Sequence, residues 1–166
     1  MEKLKVLFVC LGNICRSPMA EAVLRARIAQ EGLEERIAVD SAGTGDWHIG
    51  KPPHEGTQKI LAGSGIGCAG MKARRMRSED YAEFDYIVCM DSSNARDIRQ
   101  WLPKEGPGKA RVLQFMELLP ERGFADVPDP YFTGDFGEVY ELVEAGCRRL
   151  LDRLRHELGD TEQAQR

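Results

Sequence analysis

The sequence predicts an α/β fold built on an open parallel sheet, and three observations carry that prediction. Residues 3–9 form a short apolar run rich in β-branched and aromatic residues, as expected of a strand covered on both faces. A helical period and a second short run at 37–41 follow, a spacing that reads as a βαβ unit with a right-handed crossover. Strand-like and helix-like segments then keep alternating until a long amphipathic stripe closes the chain.

Taken in order, the first strand leads into Val9-Cys10-Leu11-Gly12-Asn13-Ile14-Cys15-Arg16-Ser17-Pro18. Gly12 and Asn13 are the residue types that best tolerate a left-handed backbone, so a sharp turn is expected there. Ser17 suits an N-cap and Pro18 the first helical position, which predicts an Ala-rich helix over 18–30 lying close against the sheet. The strand at 37–41 ends in Ala42-Gly43-Thr44-Gly45, and residues 45–53 form a loop carrying Trp47 and His48. A modest helix over 54–62 is closed by Gly63-Ser64-Gly65.

Gly65-Ile66-Gly67-Cys68-Ala69-Gly70 matches a dinucleotide fingerprint, but that fingerprint follows a strand and opens a helix. Here it follows a helix and leads into basic residues, so it reads as a C-cap and turn. Residues 86–90 are a third strand, and Asp91-Ser92-Ser93-Asn94 offers N-caps for a helix running to about Trp101. A fourth strand is predicted at 112–115. Residues 120–135 hold Gly123, Pro128, Pro130 and Gly134 and show no period; loops of such length inside a domain are usually functional or disordered. Finally Phe136, Val139, Val143, Cys147, Leu150, Leu154 and Leu158 share one helical face, which makes Cys147 a core residue. With no repeat or linker, residues 1–158 read as one domain and 159–166 as a polar tail.

Composition narrows the function. Apolar residues make up 42% and charged residues 30%, ordinary for a globular chain, and a net charge of −4 argues against nucleic acid as a partner. The one basic cluster, residues 72–77, reads as a solvated face. No run approaches the roughly 20 apolar residues of a membrane span, and the short apolar start followed by Asn13 and Arg16 is not expected to act as a signal peptide. Five scattered cysteines without a CxxC pair point to a reducing compartment, so a cytoplasmic location is expected.

The loop after the first strand carries the chemistry. Main-chain N–H groups of Leu11, Gly12, Asn13, Ile14, Cys15, Arg16 and Ser17 are expected to wrap a concave site, to which the following helix adds its positive end. Arg16 brings a planar fork suited to two phosphate oxygens. The same field should hold Cys10 as a thiolate, a nucleophile aimed at a bound tetrahedral oxyanion. Loops following parallel strands gather at one sheet edge, so Cys10, Ser41 and Asp91 should lie together.

This Cys-x5-Arg-Ser loop resembles the phosphate loop of the low-molecular-weight protein tyrosine phosphatases. The resemblance extends to Asp40-Ser41-Ala42-Gly43-Thr44, Lys72-Ala73-Arg74, 85–91 and Asp129-Pro130-Tyr131, nearly the whole chain. It implies a single-domain three-layer sandwich, a four-stranded parallel sheet with helices on both faces. It also implies hydrolysis of protein phosphotyrosine and small aryl phosphates through a phosphocysteine on Cys10, with no cofactor and no metal. Asp129 is then the acid that protonates the leaving oxygen, with Asp126 and Asp135 as alternatives. Trp47, Tyr131 and Phe132 are candidate walls for the substrate ring. Ser17 would bond the Cys10 sulfur, and Asn13 would hold the loop through Ser41. The family's supporting histidine is replaced by Met71, so that network must be completed differently here. His54-Glu55-Gly56 replaces an Asp-Pro-Arg, so outer substrate contacts should differ. Cys15 is placed to form a reversible disulfide with Cys10, as in the family, or to be a passive small residue. Phosphate and vanadate are expected inhibitors, phosphotyrosine proteins the partners, and a monomer or weak dimer the expected state.

Two rivals share the fold. Thiol-dependent arsenate reductases need relay cysteines on a mobile segment, whereas Cys89 sits in an apolar strand and Cys68 is distant. Protein arginine phosphatases usually carry threonine where this loop has Ile14, and a β-branched apolar residue suits phosphotyrosine better.

Overall fold

Strand β1 (Leu4–Cys10) lies inside a four-stranded, all-parallel sheet, between β2 (Ile37–Gly43) and β3 (Tyr86–Cys89), with β4 (Arg111–Gln114) beyond β3. The computed structural model describes residues 3–102 and 108–164, except for the side chains of 160–164. Side chains alternate across a strand, and β1 has two buried faces. Val6, Phe8 and Cys10 turn toward α1 (Arg16–Gln30), α2 (Glu55–Gly63) and α6 (Phe136–Ala164). Leu7 and Val9 turn toward α3 (Asp80–Glu83) and α4 (Ser92–Gln100). Two covered faces explain why the strand reads as a continuous apolar run rather than an alternating one.

Helix α6 buries the predicted stripe, with Val139, Val143, Cys147, Leu150 and Leu154 all fully enclosed. Gly146 lets this helix lie against Phe115, since a Cβ there would stand 2.3 Å from the ring. The Cys147 thiol faces the Ala20 carbonyl at 3.7 Å, consistent with a core role. The helix continues past Leu158 to Ala164, through most of the segment expected as a tail; residues 165–166 lie outside those described. Among the described residues, no helix is long and apolar enough to cross a membrane.

Four local expectations differ from the structure. Helix α1 begins at Arg16 rather than Pro18, and Ser17 caps nothing because its hydroxyl is committed to the Cys10 sulfur. Only Asn13, with φ 56°, takes the left-handed turn; Gly12 is needed for space, because a Cβ there would stand 2.9 Å from the His48 ring. The basic segment is a solvated face only in part: Lys72, Arg75 and Arg77 are exposed, but the segment is also built into the fold. Its backbone pairs with the end of β2, Gly43 N donating to Arg74 O at 2.8 Å and Met76 N donating to Gly43 O at 2.9 Å. Ala73 and Met76 are buried, and Arg74 bridges Asp40 at 3.2 Å and the fully buried Asp80 at 3.0 Å. Finally, the aperiodic stretch before α6 contains two short helical turns, a 3₁₀ turn at Pro120–Arg122 and α5 (Pro130–Thr133).

Candidate active site

Cys10 is the last paired residue of β1, opposite Gly43, so a rigid sheet edge fixes the sulfur. Beyond it the loop turns its carbonyls away from the site. Cys10 O accepts from Thr44 N at 3.0 Å, Leu11 O from Gly45 N at 2.8 Å and Ile14 O from His54 N at 2.7 Å. Cys15 O accepts from Thr57 Oγ1 at 3.1 Å. Among the described residues, no acceptor takes the N–H groups of Leu11 through Ser17. A loop whose carbonyls are bound outward and whose amides are unspent is a site for a multiply charged oxyanion.

Arg16 completes it. The guanidinium is buried, with Nη1 donating to Asp91 Oδ2 at 2.8 Å and to Val127 O at 2.9 Å. Nη2 faces Asp129 Oδ2 at 3.4 Å, and the buried Nε has no acceptor among the described residues. The donor edge formed by Nε and Nη2 is therefore the one left for a ligand. Burial works against the charge of Arg16, but the charges of Cys10, Asp129 and Asp91 outweigh it and hold the guanidinium above its ordinary range.

Asp129 caps α5, its Oδ1 accepting from Tyr131 N at 3.0 Å while Oδ2 turns to Arg16. Pro130 is the first residue of that turn and is buried, which pins the acid's backbone. The two alternative acids are occupied elsewhere. Asp126 accepts from Ser92 N at 2.8 Å, and Asp135 accepts from Glu138 N at 2.9 Å at the start of α6.

These groups enclose a cavity of about 360 Å³ with Cys10, Ile14, Cys15, Arg16 and Asp129 in its lining. Leu11 and Gly12 also line it, whereas Asn13 and Ser17 do not. Trp47, Tyr131 and Phe132 form its walls; they are 66%, 54% and 76% exposed, large apolar side chains left open around one mouth. Tyr131 and Phe132 meet edge to face with centroids 5.4 Å apart. His48, not anticipated from the sequence, lines the same cavity and lies 6.1 Å from the Tyr131 ring. His54 stacks on Phe136 at 5.0 Å and turns its edge to Tyr131.

Behind the loop, Asn13 Nδ2 donates to Ser17 Oγ at 2.8 Å and to Ser41 Oγ at 2.9 Å, and Asn13 Oδ1 accepts from Arg74 N at 3.0 Å. Ser41 Oγ donates to Glu21 Oε1 at 2.6 Å. Met71 is half-buried against the core, so the buried Glu21 closes this network. Besides His48, sequence reasoning missed two roles. Asp91 was placed at this sheet edge and read as a cap but not as a partner of Arg16, and Glu21 was passed over although an acid among Ala20, Ala22 and Val23 is itself a signal.

All five cysteines are free. Burial, followed by the Cys10 and Asp129 charges, pushes the Cys15 thiol up to about 12, with Arg16 opposing. Burial pushes Cys89 up to about 12 as well. Among the described residues, no group of three or more His, Cys, Asp or Glu is disposed to hold a metal ion.

Residues 5–160 match the family described as low molecular weight phosphotyrosine protein phosphatase. A low molecular weight protein-tyrosine-phosphatase of Bacillus subtilis, YfkJ, is 48% identical over 93% of this chain and 97% of its own. The crystal structure of YfkJ superposes with a TM-score of 0.88 over 95% of this chain and 98% of that one, at 47% identity. PtpA, a phosphatase of the same description from Staphylococcus epidermidis, is 45% identical over 90% of this chain and 92% of its own. The structure of DARP, a Drosophila arginine phosphatase, is 32% identical, covering 90% of this chain and 97% of that one, with a TM-score of 0.85.

Proposed function

The chain belongs to the low molecular weight phosphotyrosine protein phosphatase family, and we propose that it hydrolyses phosphotyrosine in proteins and small aryl phosphates through a phosphocysteine on Cys10. One observation supports the assignment of residues: Arg16, whose buried Nε has no acceptor among the described residues, and Leu11, Gly12, Ile14 and Cys15, whose amides are unspent, line the same cavity as Cys10.

In the first step the Cys10 thiolate attacks phosphorus, and the P–O bond to the tyrosine breaks. Asp129 gives its proton to the departing phenolate oxygen. Loop amides and the Nε–Nη2 edge of Arg16 stabilise the charge on the three equatorial oxygens. Ser17, 2.9 Å from the sulfur, donates a hydrogen bond that favours the thiolate form. In the second step Asp129, now a carboxylate, takes a proton from water as the water attacks phosphorus. The P–S bond breaks, and inorganic phosphate and the Cys10 thiolate are released.

The walls Trp47, Tyr131 and Phe132 suit an aromatic leaving group, and phosphate and vanadate are competitive inhibitors on this reading. We assign the protein to the cytoplasm, as a monomer or weak dimer, because a thiolate nucleophile needs a reducing compartment.

The arginine phosphatase reading draws on the likeness to DARP, while Ile14 favours phosphotyrosine. Paired turnover on phosphotyrosine, phosphoarginine and arsenate decides between them. Phosphotyrosine is expected to be the preferred substrate, with Cys10→Ser inactive. Undiminished turnover by Cys10→Ser would dispose of the mechanism.

A further inference from the structure

We propose that Glu21 is a positioning residue for the reaction: as a buried group that only accepts, it fixes, together with the Arg74 N–H bound to Asn13, the direction of the hydrogen bonds from β2 to the Cys10 sulfur. This rests on the reading of Cys10 as the nucleophile and deepens it. The Glu21 side chain is 7% exposed, and an isolated carboxylate there would be costly to desolvate. Arg25 holds Oε2 from the next turn of α1, and Oε1 takes the Ser41 hydroxyl.

Donor and acceptor roles then follow one from another. A carboxylate has no proton to give, so the single hydroxyl hydrogen of Ser41 is committed to Glu21. Ser41 Oγ must therefore accept, which it does from Asn13 Nδ2. The Asn13 amide is fixed in the same sense from its other end, because its Oδ1 accepts from Arg74 N. The second Nδ2 hydrogen goes to Ser17 Oγ. Ser17 thus accepts from Asn13, its own proton is left over, and Cys10 Sγ lies 2.9 Å away to receive it. A donor aimed at the sulfur stabilises the thiolate as nucleophile in the first step and as leaving group in the second.

Glu21 does not line the cavity and touches no reacting atom. Its effect passes through Ser41, Asn13 and Ser17.

Glu21→Gln tests the assignment. Arg25 only donates, so the new amide oxygen faces Arg25 and the NH₂ faces Ser41, where two donors then converge. The titratable groups around the sulfur, Arg16, Cys15 and Asp129, are unchanged, as is the Asp40–Arg74–Asp80 bridge beside Ser41, while Arg25 keeps a hydrogen-bond acceptor but loses its charged partner. The readouts are the pH midpoint of Cys10 alkylation by iodoacetamide and the kcat and KM for an aryl phosphate. We expect the midpoint to move up by about one pH unit and kcat to fall about tenfold, with KM little changed. Ser41→Ala, which keeps the Glu21–Arg25 pair, should shift the alkylation midpoint in the same direction, and it serves if Glu21→Gln does not fold. A lower melting temperature with an unaltered alkylation midpoint and kcat in either folded variant overturns the proposal and leaves Glu21 a structural residue. Alkylation needs no substrate, so failure here is distinct from failure of the phosphatase reading, which the unaltered chain's turnover decides.

Discussion

Asp91 divides its two carboxylate oxygens between fold and site. Oδ1 accepts from Asn94 N at 2.8 Å and caps α4, while Oδ2 holds Nη1 of Arg16 at 2.8 Å. Asp91→Ala should therefore cost about 1 kcal/mol from the lost cap. It should also reduce kcat/KM by about 10- to 100-fold, the equivalent of roughly 1.5–3 kcal/mol for a hydrogen bond to a charged group. Asp91→Asn, which keeps a capping oxygen, should lower activity with less loss in urea midpoint. Equal losses in both measures would argue against the divided role.

Of the three acids read as proton-donor candidates, Asp129 is the one that reaches Arg16, its Oδ2 lying 3.4 Å from Nη2. Asp129→Ala is expected to lower kcat by about 10²–10⁴-fold, the usual worth of a general acid. The deficit should grow along a series of aryl phosphates as the leaving phenol becomes less acidic. A deficit that is flat across the series would remove Asp129 as the proton donor and restore Asp126 or Asp135 to consideration.

Two glycines support the loop for different reasons. A Cβ on Gly43 would stand 2.9 Å from the Leu11 carbonyl oxygen and 3.3 Å from Asn13 N, both backbone atoms. Gly43→Ala should displace the loop itself, costing about 1–3 kcal/mol by overpacking and more than tenfold in kcat/KM. At Gly12 the obstacle is the His48 ring, a side chain that can swing away. Gly12→Ala should therefore change KM with a smaller effect on the melting temperature, and comparison of the two variants checks the distinction.

Cysteine labelling gives a pH-dependent test. A raised value keeps Cys15 and Cys89 as unreactive thiols until pH approaches 12, and Cys147 is pushed upward too by burial. Iodoacetamide at pH 8 should modify Cys10 first and the half-exposed Cys68 more slowly, leaving the other three for denaturant. Mass mapping over time checks the order; early modification of Cys15 would contradict it.

Arg74 joins the half-buried Asp40 to the fully buried Asp80. Removing Arg74 leaves the buried Asp80 with only the more distant Arg77 guanidinium at 3.8 Å, so Arg74→Ala should destabilise the fold by up to about 3 kcal/mol. Arg77 N also donates to Asp80 at 2.8 Å and limits the loss. Chemical denaturation of the variant measures it.

The sequence made the strand-loop-helix legible because the signal is local: an apolar run, turn-forming residues and a helical period meet within 20 positions. Cys10 and Arg16 were readable from residue type and spacing and Asp129 through the family resemblance, and the structure brings all three to one cavity. What was hidden involved pairs distant in sequence. Arg74 looked like any surface cation until β2 and α3 brought Asp40 and Asp80 to either side of it. Ser17 satisfied every criterion for an N-cap, yet the sulfur seven residues earlier took its hydroxyl first. The Glu21–Ser41 contact depends on how α1 crosses β2, a packing relationship that no local pattern encodes.

Val127 joins the phosphate-loop helix to the residue that follows β3. Its carbonyl accepts from Arg16 Nη1 at 2.9 Å, and its N–H donates to Met90 O at 2.9 Å, the residue just after β3. In the proposed mechanism, the guanidinium assigned to the phosphoryl group thus also anchors the segment that carries Asp129. By thermodynamic reciprocity, a ligand that orders Arg16 tightens that segment, and mutations that loosen residues 120–128 weaken phosphate affinity without touching the anion.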